Sequence, residues 1–94
     1  MNPTQSVHVL PEQIDLHSVI GVLEDALHAL DAGNEVFDFA AVKQLDSTVL
    51  ALMLTCRRAA QQRRLPLRYI NLPVNLVSLA KLYGVDQFVA TEVL

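Results

Sequence analysis

The stretch from residue 38 to residue 54, "DFAAVKQLDSTVLALML", joins the end of a predicted strand to a predicted helix. The strand lies within "EVFDFAAV" (35–42), which is rich in residues that favour β-structure. Asp46 or Ser47 can cap the helix, which we expect to run from about residue 47 to residue 64. Residues 49–54 are all apolar, which is more than one face of a helix can bury. The segment is therefore either buried on several sides or partly covered by another molecule.

Two further strands and two further helices are predicted around this stretch. The strands are "SVHVL" (6–10) and "LRYINL" (67–72). The first helix carries an apolar stripe and ends at Gly33-Asn34, and the third begins at Pro73 and ends before Gly84. The stripe of the first helix is Leu16, Val19, Ile20, Leu23, Ala26, Leu27 and Leu30, and that of the third is Leu76, Leu79, Ala80 and Tyr83. The tail 85–94 is compatible with a short helix or a strand.

Strands that alternate with helices predict an α/β domain with a partly parallel sheet, and the length of 94 residues fits a single domain, 1–94. The loop 40–47 leaves the end of a strand and enters a helix N-terminus. In open α/β sheets ligands and partners tend to bind at such loops. We therefore expect the functional surface at this loop.

Charge is distributed unevenly along the chain, whose formal net charge is -3. Of its ten acidic residues, eight lie in residues 1–46, together with one base, whereas residues 47–94 carry six bases. The basic run is Arg57, Arg58, Arg63, Arg64 and Arg68. Aromatic residues do not interleave with these arginines as they do in many single-strand-binding surfaces. We interpret the run as an exposed helix face and expect no nucleic-acid partner.

Three features favour a cytoplasmic protein. Cys56 is the only cysteine, so an internal disulfide is excluded and a reducing compartment fits. The start, "MNPTQS", lacks the basic and apolar regions of a signal peptide. No apolar run approaches the roughly 18 residues that span a bilayer, so we expect no direct membrane insertion.

The predicted second helix has more leucines than its core-facing side can hold. At about 100° per residue, its core arc holds Val49, Leu52, Met53, Cys56, Ala59 and Ala60. Leu50 and Leu54 fall outside this arc. They either pack under a neighbouring loop or the C-terminal tail, or they are covered by a partner protein. We expect the partner contact.

The sequence offers little support for catalysis. Ser47 would need a base as a nucleophile, but all three histidines lie in the first third of the chain. Asp38 and Asp46 could pair as general acid and base, but we expect Asp46 to support the helix N-terminus, with Asp38 beside it at the end of its strand. The histidines and the cysteine lack metal-ligand spacing, and no glycine-rich phosphate loop is present. We therefore expect no catalytic residue, no metal and no cofactor.

The opening stretch, followed by "LRYINLP" and "LAKLYGV", resembles the STAS domain family over about residues 6–90. In that family a strand carries an aspartate, and eight residues later an Asp-Ser pair opens the next helix. Asp38 and the pair Asp46-Ser47 match this spacing. The resemblance implies a single STAS domain, with a mixed sheet of four to five strands packed against three to four helices.

The run "VLALML" and the ending "LAKLYGV" resemble one branch of the family, the small STAS subunits of the Mla phospholipid ABC transporter. This likeness implies a non-enzymatic cytoplasmic subunit that binds the ATPase and, through it, the permease and substrate-binding subunits. It would lie peripherally on the inner membrane and serve outer-membrane lipid asymmetry. In that branch the hydroxyl residue that matches Ser47 lies at the ATPase interface. The partner surface that we expect is Lys43, Ser47, Thr48, Leu50, Ala51, Leu54 and Arg58.

The alternative within the same family is an anti-sigma factor antagonist, switched when an anti-sigma factor kinase phosphorylates Ser47. Such antagonists usually read Asp-Ser-Ala-Gly or Asp-Ser-Ser-Gly, whereas here Thr48-Val49 follows the serine. Glycine lets a partner backbone come close, and valine is bulky and stiff. The departure favours a constitutive subunit over a phosphorylated switch.

Overall fold

A computed structural model describes residues 7–89 of the chain. Within this range the strands and helices alternate in the order β1, β2, α1, β3, β4, α2, β5, α3, α4. The strands are β1 Val7–Val9, β2 Gln13–Ile14, β3 Val36–Asp38, β4 Gln44–Leu45 and β5 Arg68–Ile70. The helices are α1 Val19–Asp31, α2 Thr48–Gln62, α3 Val74–Leu82 and α4 Asp86–Val89. The predicted α/β class is confirmed, and the tail that was left open begins as a short helix.

The strands form two small parallel sheets in the described part of the chain, where we expected one mixed sheet. β3 lies between β1 and β5 in the first sheet, and β2 pairs with β4 in the second. Pro11, which has no N–H to donate, lies where the chain passes from the first sheet to the second. The two chain segments stay together beyond the break, because the N–H groups of Lys43 and Gln44 both donate to the carbonyl of Glu12. Parallel pairing follows from the helical crossovers between the strands of the larger sheet.

One row of aromatic side chains crosses the larger sheet, and the core packs against it. His8, Phe37 and Tyr69 are register partners on the three strands. The ring centres of His8 and Phe37 lie 5.0 Å apart, and those of Phe37 and Tyr69 lie 6.0 Å apart. The Tyr69 hydroxyl donates a hydrogen bond of 2.6 Å to the backbone carbonyl of Met53 in α2. This bond fixes α2 on the aromatic face of the sheet and satisfies a buried phenol.

The helices pack in a row on the same face. α2 contacts α1 on one side and α4 on the other, and α4 also contacts α3. Residues of all four helices belong to one buried cluster with Phe37 and Tyr69. Val7 and Val9 point to the opposite face, where they are 45% and 59% exposed. The helices therefore cover one side of the sheet, and α2 lies between two neighbours.

The start of α1 differs from the prediction. The Asp15 carboxylate accepts hydrogen bonds from the N–H groups of His17 and Ser18, so a capping turn precedes the helix. Leu16 lies in this turn and is 68% exposed, and Ile20 is 67% exposed. Their assignment to the buried stripe was wrong. Tyr83, predicted in the buried stripe of α3, is likewise 57% exposed, because α3 ends at Leu82.

The surplus leucines of α2 also differ from the prediction. Leu50 is only 5% exposed and belongs to the core cluster, while Leu54 is half-buried. The flank of α2 that carries them faces α4 and the turn before it, where Val85 lies beside Leu54. Our expectation that a partner covers Leu50 was wrong. The other alternative, packing under the C-terminal part of the chain, is the one observed.

Replacing leucines at a buried and an exposed position tests this packing. Leu50→Ala should lower the free energy of unfolding by about 2–5 kcal/mol, because it leaves a cavity between α2 and α4. The matched control Leu82→Ala, at a residue 78% exposed, should change it by about 0.5 kcal/mol or less. Urea denaturation at equilibrium measures both. Equal, small effects would show that Leu50 is not part of the core.

Candidate protein-interaction site

The N-terminus of α2 is held by Asp46. One carboxylate oxygen accepts a hydrogen bond of 2.9 Å from the Thr48 N–H and another of 2.5 Å from the Thr48 hydroxyl. Ser47, at the formal cap position, makes no side-chain cap bond and is exposed. Of the two caps that the sequence allowed, Asp46 performs the role. The Ser47 side chain is thus not needed to begin the helix.

Asp46 also joins the starts of α1 and α2. Its second carboxylate oxygen accepts a hydrogen bond of 3.1 Å from the Leu16 N–H, and its own N–H donates to the carbonyl of Ile14. At the other end of the two helices, Arg63 forms a salt bridge of 2.7 Å with Asp31. α1 and α2 therefore run side by side in the same direction, with both N-termini at one end of the domain.

Hydrogen bonds lower the pKa of two carboxyl groups at this end of the domain. The Thr48 hydroxyl and N–H hold the pKa of Asp46 below its ordinary value, although the nearby Asp15 opposes the shift. The side chain of Gln13, with the N–H groups of His17 and Ser18, lowers the pKa of Asp15. Donors that bind the charged form of a carboxyl stabilise it. Both carboxyl groups are therefore ionised at neutral pH.

The Asp38 carboxylate makes its hydrogen bonds in a different part of the domain. One of its carboxylate oxygens accepts hydrogen bonds from the Ala40 N–H at 2.8 Å and from the Asn71 side-chain amide at 3.0 Å. Asn71 has a φ of 57°, a conformation that asparagine tolerates better than most residues. Asp38 thus links the ends of β3 and β5, whereas Asp46 bonds to the starts of α1 and α2. Asp38 ends β3, as expected, but the hydrogen bonds of its carboxylate come from Ala40 and Asn71 and not from the start of α2.

The remaining residues of the expected partner surface divide by burial. Lys43, Ser47, Ala51 and Arg58 are exposed, Thr48 and Leu54 are half-buried, and Leu50 is buried. Ser47, Ala51 and Arg58 follow one stripe along the outside of α2. Leu54 lies off this stripe, in a shallow groove with Arg57 and Val85. Ser47, Ala51 and Arg58 therefore lie together on the outside of α2, whereas Lys43 precedes β4 and Leu50 lies in the core beneath the helix.

Sequence reasoning missed Leu16 and Ile20, which are exposed at the same end of the domain. Ile20 lies on the flank of α1 that also carries Asp31, the residue that bonds to α2. The buried residues Val22 and Ala26 define a core face that Ile20 does not share. The signal available in the sequence was Asp15, a good cap residue, which would have placed Leu16 before the helix.

The histidines and the cysteine are distributed through the domain. His8 is packed edge-on against Phe37, and burial lowers the pKa of its imidazole. Burial raises the pKa of the Cys56 thiol to about 12, so the thiolate is scarce at neutral pH. Within residues 7–89, no three His, Cys, Asp or Glu side chains are grouped as metal ligands. No helix in that range is long and apolar enough to cross a membrane.

Comparison with known proteins gives the family. Residues 4–91 match the family described as "Mlab, STAS domain". The chain therefore belongs to this STAS family, and the resemblance seen in the Asp-Ser pair and the flanking strands is confirmed. No curated protein and no solved structure matches the chain significantly.

The contribution of Asp46 to stability can be measured from the fall of the melting temperature at acidic pH. A carboxyl whose pKa is lowered on folding stabilises the protein above its unfolded pKa of about 4, and this contribution is lost as the pH falls through the folded pKa. Asp46→Asn should therefore lower the melting temperature at neutral pH and flatten its fall below about pH 4. Asp15 retains part of the dependence. Thermal melts across this pH range, with Glu35→Gln as an exposed control, test it; identical curves would contradict the capping role.

Proposed function

We propose that this protein is the non-enzymatic STAS subunit of a phospholipid ABC transporter that maintains outer-membrane lipid asymmetry. In this role it binds the ATPase subunit and stabilises or regulates it. The family description, which names the MlaB branch of STAS domains, supports this choice. The structural observation behind it is the start of α2, held from below by Asp46 while Ser47 stays exposed and unused for capping. Such a rigid, accessible helix end suits a constant protein contact.

The proposed contact surface follows the exposed stripe of α2. It comprises Ser47, Ala51 and Arg58 on that stripe, the half-buried Thr48 and Leu54 at its margins, and Lys43 on the segment before β4. Leu50 is excluded from the surface because it lies in the core beneath it. Through the ATPase the subunit would reach the permease and substrate-binding subunits, and it would lie on the cytoplasmic side of the inner membrane. The protein itself needs neither a cofactor nor a membrane segment for this role.

One observation favours the second candidate, an anti-sigma factor antagonist. The exposed Ser47 hydroxyl is accessible to a kinase. However, phosphate at this position would add about -1.5 to -2 charges next to Asp46 and Asp15. Like charges so close together destabilise each other. A phosphorylated switch is therefore less well supported than a constitutive interface.

Identification of the bound partner separates the two candidates. Affinity purification of the full chain at native expression, followed by mass spectrometry, should recover an ABC transporter ATPase in stoichiometric amounts. The Asp46→Ala variant, purified in parallel, should recover less of the ATPase because the start of α2 loses its cap. Recovery of an anti-sigma factor kinase, with stoichiometric phosphoserine at 47, would instead establish the antagonist.

Substitution of Ser47 tests its place in the interface. Ser47→Asp should weaken binding of the ATPase subunit at least tenfold, because it adds a carboxylate at a site already flanked by Asp46. Ser47→Ala should change the free energy of unfolding by about 0.5 kcal/mol or less, since Asp46 is the cap. The matched control Ser78→Asp, exposed on α3, should leave binding unchanged. Surface plasmon resonance and thermal melts provide both readouts, and unaltered affinity in Ser47→Asp would remove Ser47 from the contact.

A further inference from the structure

We propose that Leu16 and Ile20 form the apolar part of the surface that binds the ATPase, the part first assigned to Leu50. This inference rests on the proposed function, because it takes the same protein as its partner. It adds α1 to a contact that sequence analysis confined to α2 and the loop before it. The partner surface it requires is an apolar patch bordered by lysine or arginine side chains.

The two side chains are neighbours and both are accessible. Leu16 is 68% exposed and Ile20 is 67% exposed. The Val19 N–H donates to the Asp15 carbonyl at 2.8 Å, so the turn that holds Leu16 already has helical spacing. Residues four apart on such a turn lie on the same side. Leu16 and Ile20 therefore present one continuous aliphatic surface.

This aliphatic surface adjoins the start of α2. The Leu16 N–H donates to the carboxylate of Asp46, the residue that also caps α2. Ile20 shares its flank of α1 with Asp31, which is bonded to Arg63, the residue after the end of α2. Leu16 thus lies next to the residue that caps α2, and Ile20 lies on the flank of α1 that faces α2. A protein that covers the start of α2 would meet them as well.

The exposed stripe of α2 cannot supply the apolar contact by itself. It carries Ser47, Ala51, Thr55 and Arg58, of which only alanine is apolar. Stable protein interfaces have an apolar centre surrounded by polar groups, and a few large side chains contribute most of the affinity. With Leu50 buried and Leu54 half-buried, Leu16 and Ile20 are two large aliphatic residues at this end of the described range, 7–89, that remain mostly exposed.

The charge around the pair identifies the chemistry of the partner. Asp15 and Asp46 lie beside Leu16, and Glu24 is exposed one helical turn beyond Ile20. Within residues 1–46 the only base is Lys43. An acidic border of this kind is complementary to basic side chains around an apolar patch, and it makes association dependent on salt. The aliphatic residues Val74 and Leu82 on α3 are even more exposed, but Leu82 adjoins Lys81, and the helix that α3 mainly contacts is α4.

A pair of double variants tests the inference. Leu16→Asn with Ile20→Asn should weaken binding of the ATPase subunit about tenfold or more, while the melting temperature changes little, because both sites are exposed. The matched control is Val74→Asn with Leu82→Asn, which removes similar side chains from α3 and should preserve affinity. Glu24→Lys should weaken binding at low salt more than at high salt, and Glu35→Lys should not.

A labelling experiment keeps the test independent of variant stability. Cys56 is buried, so a cysteine introduced by Ile20→Cys provides the reactive thiol. A maleimide should label it quickly in the free protein and at least tenfold more slowly in the ATPase complex, whereas Leu82→Cys should react equally in both. If the wild-type chain binds no ABC ATPase, the proposed function is wrong and this inference falls with it. If the wild-type chain binds but the Leu16/Ile20 variant binds equally well, or Ile20→Cys stays unprotected, this inference alone is overturned.

Discussion

The carboxylate of Asp46 is the group on which the end of the domain that holds the proposed contact surface depends. One oxygen satisfies donors at the first turn of α2, and the other accepts the Leu16 N–H that precedes α1. The backbone N–H of the same residue binds Ile14 and thereby extends the pairing of β2 with β4. A single side chain thus connects a helix start, a capping turn and a small sheet. Because N–H groups at the start of a helix have no acceptor within that helix, the carboxylate helps to position this end of the domain.

Because Asp46 and not Ser47 caps α2, the stability of the helix and the proposed contact depend on different residues. A serine that caps a helix has its hydroxyl occupied by the backbone, and a change at that position would alter stability together with binding. Here the aspartate performs the capping, and Ser47 remains on the surface. The surface of α2 can therefore vary with the needs of a partner without loss of the helix. This separation is consistent with an interaction module whose fold and contact are maintained by different residues.

A second set of interactions, in the aromatic row, holds α2 to the larger sheet. His8, Phe37 and Tyr69 cross the sheet, and the Tyr69 hydroxyl reaches the backbone of α2 at Met53. The Arg57 guanidinium lies 4.8 Å from the centre of the Tyr69 ring and donates to the carbonyl of Leu67. Arg57 thus supports α2 from inside. The arginine run is accordingly not one uniform exposed face: Arg57 is half-buried, whereas Arg58 is exposed.

The local sequence pattern determined the positions of the main helices and of the larger sheet. The positions of α1, α2, α3 and the larger sheet followed from apolar periodicity and from the turn residues Gly33 and Gly84, whose φ angles are 90° and 72°. The Asp-Ser pair and its spacing from Asp38 identified the family.

What tertiary structure alone decided was which flank of each helix is covered. A helical wheel assumes one buried side, but α2 lies between α1 and α4, so Leu50 is buried far from the centre of its core arc. Leu16 and Ile20 remained accessible for the converse reason, because the capping turn at Asp15 and the edge of α1 extend beyond the packed layer.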